Sequence, residues 1–136
     1  MTPHERVAAT QATLDLWSGR QFAWGRADCW KLTASHLRRM GRNPRNARIG
    51  RYASLLGARR ALKRLQFTDI AAMIDDLGLM RIAPAAATAG DLLALQGDVE
   101  IGTLAVALGN GRALAFWEDG VCRVVRPRAW LAAWRA

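Results

Sequence analysis

Two residues stand where chemistry could start. Asp28 and Cys29 open an apolar helix, directly behind the turn Phe22-Ala23-Trp24-Gly25-Arg26. A thiol at a helix start meets the positive end of the macrodipole and unpaired backbone N–H groups, and both favour the thiolate. Arg26 and Lys31 push the same way and Asp28 pushes back. Without a partner, the same residue is a small apolar side chain that seals the helix start. A cysteine nucleophile also needs a base to time proton transfer to the leaving group. The sequence offers His4 and His36. His36 lies seven residues after Cys29, about 10 Å along a helix axis, too far to bond the sulfur. It reads as a core or loop-contacting residue, and His4 as part of a helix cap. Two cysteines, Cys29 and Cys122, in unlike contexts read as free thiols, and there is no CxxC or histidine cluster to hold a metal. No cofactor is expected.

The elements that must place these residues follow from pattern. Thr2-Pro3-His4-Glu5 predicts a capping box with proline at the first helical position. Val7, Gln11, Leu14 and Trp17 then share one face, until Gly19 ends the helix. A second helix runs from Asp28 or Cys29 to Met40, with Trp30, Leu32, Thr33 and Leu37 as its buried stripe. After the loop 41–46, helical pattern returns over Ser54–Leu65 and from Thr68-Asp69 to Asp76, where Gly78 stops it. The period then changes to two. Asp91–Leu95, Thr103–Leu108, Ala113–Trp117 and Val121–Val125 read as strands, joined by turns at Gly109-Asn110-Gly111-Arg112 and Glu118-Asp119-Gly120. Arg128–Trp134 reads as a short closing helix. Helices first and an antiparallel meander afterwards predict an α+β domain with segregated layers.

At 136 residues the chain suits one domain, 1–136. Its 51% hydrophobic content and mean hydropathy near zero predict a soluble globular protein. No apolar run approaches a membrane span, and the N-terminus reads as a helix rather than a signal peptide. The net charge of +9 is unevenly spread. Between Cys29 and Thr68 there is no acidic residue, while Arg38, Arg39, Arg42, Arg45, Arg48, Arg51, Arg59, Arg60 and Arg64 fall there with Lys31 and Lys63. Such a block is either a solvated surface or a face for an acidic partner. Nucleic acid is disfavoured, because the basic residues are not interleaved with aromatics and no binding motif is present.

Three segments carry a family resemblance. Phe22-Ala23-Trp24-Gly25 with Asp28-Cys29, Gly90-Asp91-Leu92-Leu93, and Leu104-Ala105-Val106-Ala107-Leu108-Gly109-Asn110-Gly111 come in the order and spacing of the NlpC/P60 superfamily of papain-like cell-wall peptidases. The chain also resembles, in length and in its closing pattern from Gly120 through Pro127 to Trp134, small NlpC/P60-like proteins from the tail-gene clusters of tailed phages and prophages. The resemblance implies a papain-like fold, with Cys29 at the nucleophile position and Thr103 where the catalytic histidine should stand. It implies a cleft near Trp24, Gly25, Trp30, Asp91 and Trp117, with Asp91 serving a turn. Six tryptophans in so short a chain also suit an interface, Trp130 and Trp134 forming one edge of the closing helix.

With Thr103 in the histidine's place, catalysis by the ordinary Cys–His route is not expected. Loss of the base alone removes assistance of roughly 10²–10⁴-fold. The expectation is a structural or assembly protein of the tail tip or baseplate, a virion component made in the bacterial cytoplasm, contacting other tail proteins and peptidoglycan. The alternatives are an active cell-wall cysteine peptidase or amidase using Cys29 with a non-standard base, and a basic nucleic-acid-binding module.

Overall fold

Each helix start in the first half of the chain is closed by a side chain. In the computed structural model, which describes residues 1–95 and 101–136, α1 spans Pro3–Trp17 behind the Thr2/Glu5 capping box. Helix α2, Cys29–Arg39, is capped by Asp28, whose carboxylate accepts from the Lys31 N–H. Ser54 caps α3, Leu55–Arg64, and Asp69 caps α4, Ile70–Asp76. Each such cap is worth about 1 kcal/mol, and together they fix where the chain turns into each helix.

The buried face of α1 is not the one its apolar residues suggest. Val7 is exposed, whereas Thr10, Thr13 and Trp17 are buried. The threonines can point inward because their hydroxyls are satisfied there, Thr10 by the Arg6 carbonyl at 2.8 Å and Thr13 by His36.

The second half forms a six-stranded antiparallel sheet. Its strands are β1 (Arg81–Ile82), β2 (Leu92–Leu95), β3 (Thr103–Gly109), β4 (Arg112–Phe116), β5 (Cys122–Val125) and β6 (Trp130–Trp134), in the order β1-β6-β2-β3-β4-β5. The protein is therefore α+β, four helices followed by the sheet among the described residues. Asn110 and Gly111, both at positive φ, make the two-residue β3–β4 hairpin. The expected closing helix is instead β6, lying between β1 and β2. The i, i+4 spacing of its tryptophans fits one face of a helix or of a regular strand, but the strand carries a bulge that separates them. Ala94 pairs with Ala132 but Leu95 pairs with Trp130, which leaves Leu131 as the extra residue.

The bulge decides which face each indole meets. Trp134 joins Leu92, Leu104, Val106 and Leu114 under the helices, whereas Trp130 packs with Leu93, Leu95, Ala105 and Ala107 on the other face. That second face is rich in alanine, and Ala87 and Ile82 close against it.

Candidate functional site

The turn Ala23–Ala27 delivers α2. The Ala23 and Ala27 backbones exchange hydrogen bonds at 2.8 Å, and Gly25 sits at φ +77°. A Cβ at Gly25 would come within 1.9 Å of the Tyr52 carbonyl oxygen, so only glycine lets the turn lie against residues 50–53. Asp28, buried, ties the two together. Its carboxylate accepts from the Gly25 N–H (2.8 Å), the Lys31 N–H (2.9 Å) and the Tyr52 hydroxyl (2.7 Å). Burial and the Asp28 charge push the Tyr52 phenol far above its ordinary range, so the hydroxyl stays a donor.

Cys29 lies behind this closure. Half-buried, it lines a cavity of about 30 Å³ walled by Trp24, Trp30, Tyr52, Leu62 and Met73 among others. Burial, seconded by the Asp28 carboxylate, pushes the thiol up to about 12, although the Leu104, Trp30 and Cys29 N–H groups favour the thiolate. This corrects the expectation of an activated thiol. The helix terminus and the backbone donors are present, but desolvation outweighs them. At neutral pH the sulfur carries its proton. Cys122, buried at the start of β5 beside Phe116 of β4, is likewise pushed up to about 12 by desolvation.

No base stands beside the sulfur among the described residues. Thr103 begins β3 and pairs with Leu95. By strand alternation it shares the face of Ala105 and Ala107, whereas Cys29 packs against the cluster that holds Leu104 and Val106. His36 is wholly committed elsewhere. Its Nε2 donates to the Gly90 carbonyl and its Nδ1 accepts from the Thr13 hydroxyl, both at 2.8 Å. Burial lowers its pKa to about 4, so it is a neutral, structural imidazole.

Asp91 belongs to this second network and not to the pocket, contrary to its expected place in the cleft. Fully buried, it accepts from Arg6 (2.9 Å), the Thr88 N–H (2.9 Å) and the Ala136 N–H (3.2 Å), with Arg135 at 3.5 Å. Trp117 is also absent from the pocket wall and stands partly exposed after β4, whereas Trp24, Gly25 and Trp30 do lie near Cys29. Three indoles are anchored through their ring N–H: Trp17 donates to Ser35, Trp30 to Asn46 and Trp134 to Asp75. Arg81 holds the Asp75 carboxyl below its ordinary range.

The arginine block divides in two. Arg39 bonds Ser35 and Thr13, Arg48 pairs with Asp76 at 2.7 Å and lies over Phe67, and Arg64 donates to the Arg48 and Ile49 carbonyls. Arg59 is half-buried. Arg38, Arg42, Arg45, Arg51 and Arg60 are exposed. Sequence reading missed Tyr52 entirely, since a lone tyrosine in an arginine-rich loop gives no motif. Its only signal was being the sole tyrosine of the chain.

The thiol at the start of a capped helix and the sheet packed beneath the helices define an α+β domain with a half-buried cysteine pocket. The family model described as a domain of unknown function, DUF6950, matches residues 4–136, and the chain belongs to that family. No curated protein matches the chain. No described helix is long and apolar enough to cross a membrane, and no cluster of potential metal ligands occurs among the described residues.

Proposed function

We propose that this protein is a non-catalytic structural or assembly component of the tail tip or baseplate of a tailed phage or prophage, built on a degenerate papain-like, NlpC/P60-type fold. The observation that carries the non-catalytic half is the Cys29 sulfur. It is protonated, half-buried, and two helical turns from a histidine whose two ring nitrogens are already bonded. Acyl transfer through Cys29 would require a thiolate and a proton donor for the leaving amine, and neither is supplied. The tail placement rests on the motif order from Phe22 to Gly111 and on the closing pattern of the chain. Helix capping around Asp28 gives the former nucleophile turn a purely architectural role.

Two measurements separate the halves of this reading. Purified protein incubated with peptidoglycan is expected to release no new amino groups, and Cys29→Ala is expected to match it. Turnover that Cys29→Ala abolishes would replace the reading with that of an active peptidase. A density map or mass-spectrometric inventory of purified phage particles should contain the chain at the tail tip. Its absence from the particle would remove the tail assignment.

A further inference from the structure

Outside the cysteine pocket, the same two segments form the walls of an open groove. It holds about 860 Å³ between the turn Ala23–Arg26 and residues 50–53, with Lys31 of α2 at its side. That is the upper part of the range of ordinary ligand sites. Its floor is the close contact of Gly25 with the Tyr52 carbonyl. Arg26, Lys31 and Arg51 stand around it, and no acidic residue lines it. The nearby carboxylate, Asp28, is buried and occupied by its three donors. Among the described residues, three cations therefore share one concave surface with no carboxylate lining it, on a chain that carries +9. Repulsion among them is relieved by an anionic occupant.

We propose that this groove docks an acidic, extended segment of a partner protein, its carboxylates meeting Arg26, Lys31 and Arg51. Ala23, Trp24 and Gly25 of the nucleophile motif help to line the groove, but the site rests on its charge and shape and stands whether or not the protein belongs to a tail. A single nucleic-acid strand fits less well. Such strands need open aromatic faces for their bases. Here the Lys31 ammonium lies over the Tyr52 ring at 5.9 Å, and the Tyr52 hydroxyl turns inward to Asp28. Trp24 is engaged edge-to-face with Phe22, centroids 4.9 Å apart. The two arginines instead offer planar donor forks suited to carboxylates.

The test is titration of the full chain with a ten-residue polyglutamate peptide, followed by tryptophan fluorescence, beside polyglutamine and oligo-dT of equal length. Polyglutamate should bind, polyglutamine should not, and oligo-dT should bind more weakly than polyglutamate. Arg26→Glu with Arg51→Glu should weaken polyglutamate binding by about tenfold or more. The control pair Arg38→Glu with Arg60→Glu makes the same change of net charge on exposed positions elsewhere, and should change affinity by less than about threefold. Circular dichroism of both double variants checks that they remain folded. Equal losses in the two pairs, tighter binding of oligo-dT, or no binding of polyglutamate would each overturn the proposal.

Discussion

Helix α2 carries a polar centre near each end, and the two behave differently. At its start, Asp28 gathers three donors around a turn and leaves Cys29 half-buried with a protonated thiol. Two turns on, His36 joins Thr13 of α1 to the Gly90 carbonyl, and Asp91 beside it gathers Arg6, Thr88 and Ala136. The residue types of a cysteine hydrolase are all present, but they are split between two sites about 10 Å apart along one helix. Each site uses its polar atoms to join chain segments. The first holds a loop against a turn; the second holds α1, α2, β2 and the chain's last residue together. The difference teaches that the chemistry-bearing residues of this protein are distributed as fastenings.

If that comparison is right, the His36–Asp91 centre should matter most to stability. Asp91→Ala removes a buried charge and strands Arg6 and two backbone N–H groups, and should cost about 3 to 5 kcal/mol. Urea unfolding should show the midpoint falling with little change in slope. A loss below that of Cys29→Ala would break the comparison.

The next effect is in pH. His36 is buried and neutral, with its pKa lowered to about 4 from an ordinary 6.5. Between these values the unfolded chain binds a proton that the folded chain refuses, so stability rises with pH across that window. The contribution is complete above about pH 6.5 and is lost as pH falls towards 4, on the order of 3 kcal/mol in all. His36→Gln should be less stable at pH 7 and show a flatter profile from pH 7 to 4. A variant with the same slope as the parent would show that another group carries the titration.

The smallest effect belongs to the residue that looks most catalytic. Cys29→Ala should cost only about 1 kcal/mol, the loss of one small buried group. Alkylation of the folded protein at pH 7.5 should leave Cys29 as unreactive as Cys122, since burial pushes both thiols up to about 12. Rapid labelling of Cys29 alone would mean that the pocket opens and that the two centres are less alike than their enclosure indicates.

Much of this architecture is legible in the sequence because it is local. Thr2, Asp28, Ser54 and Asp69 each announce a helix through a side chain that bonds a backbone N–H three residues on. Asn110-Gly111 announces its hairpin through two positive φ angles. The rest depends on partners distant in sequence. Strand β1 is two residues long and exists through β6, so no local pattern marks it. The bulge at Leu131 breaks the two-residue period that would reveal β6. At the site, Cys29 and Asp28 are visible as a motif, but the burial that quiets the thiol comes from α3, α4 and Tyr52. Asp91 as the anchor for Arg6 and Ala136 spans separations of 85 and 45 residues, which no motif encodes.

Strand β6 also sets an order of events. It is the last of the six described strands to be made, yet it sits between β1 and β2, and β1 pairs with no other described strand. During synthesis, Arg81–Ile82 and one side of β2 wait without hydrogen-bond partners until residues 130–134 leave the ribosome. A chain interrupted before that point would present an open, leucine-lined β2 edge to its neighbours. The sheet is therefore completed from within, and its quality depends on β6 arriving.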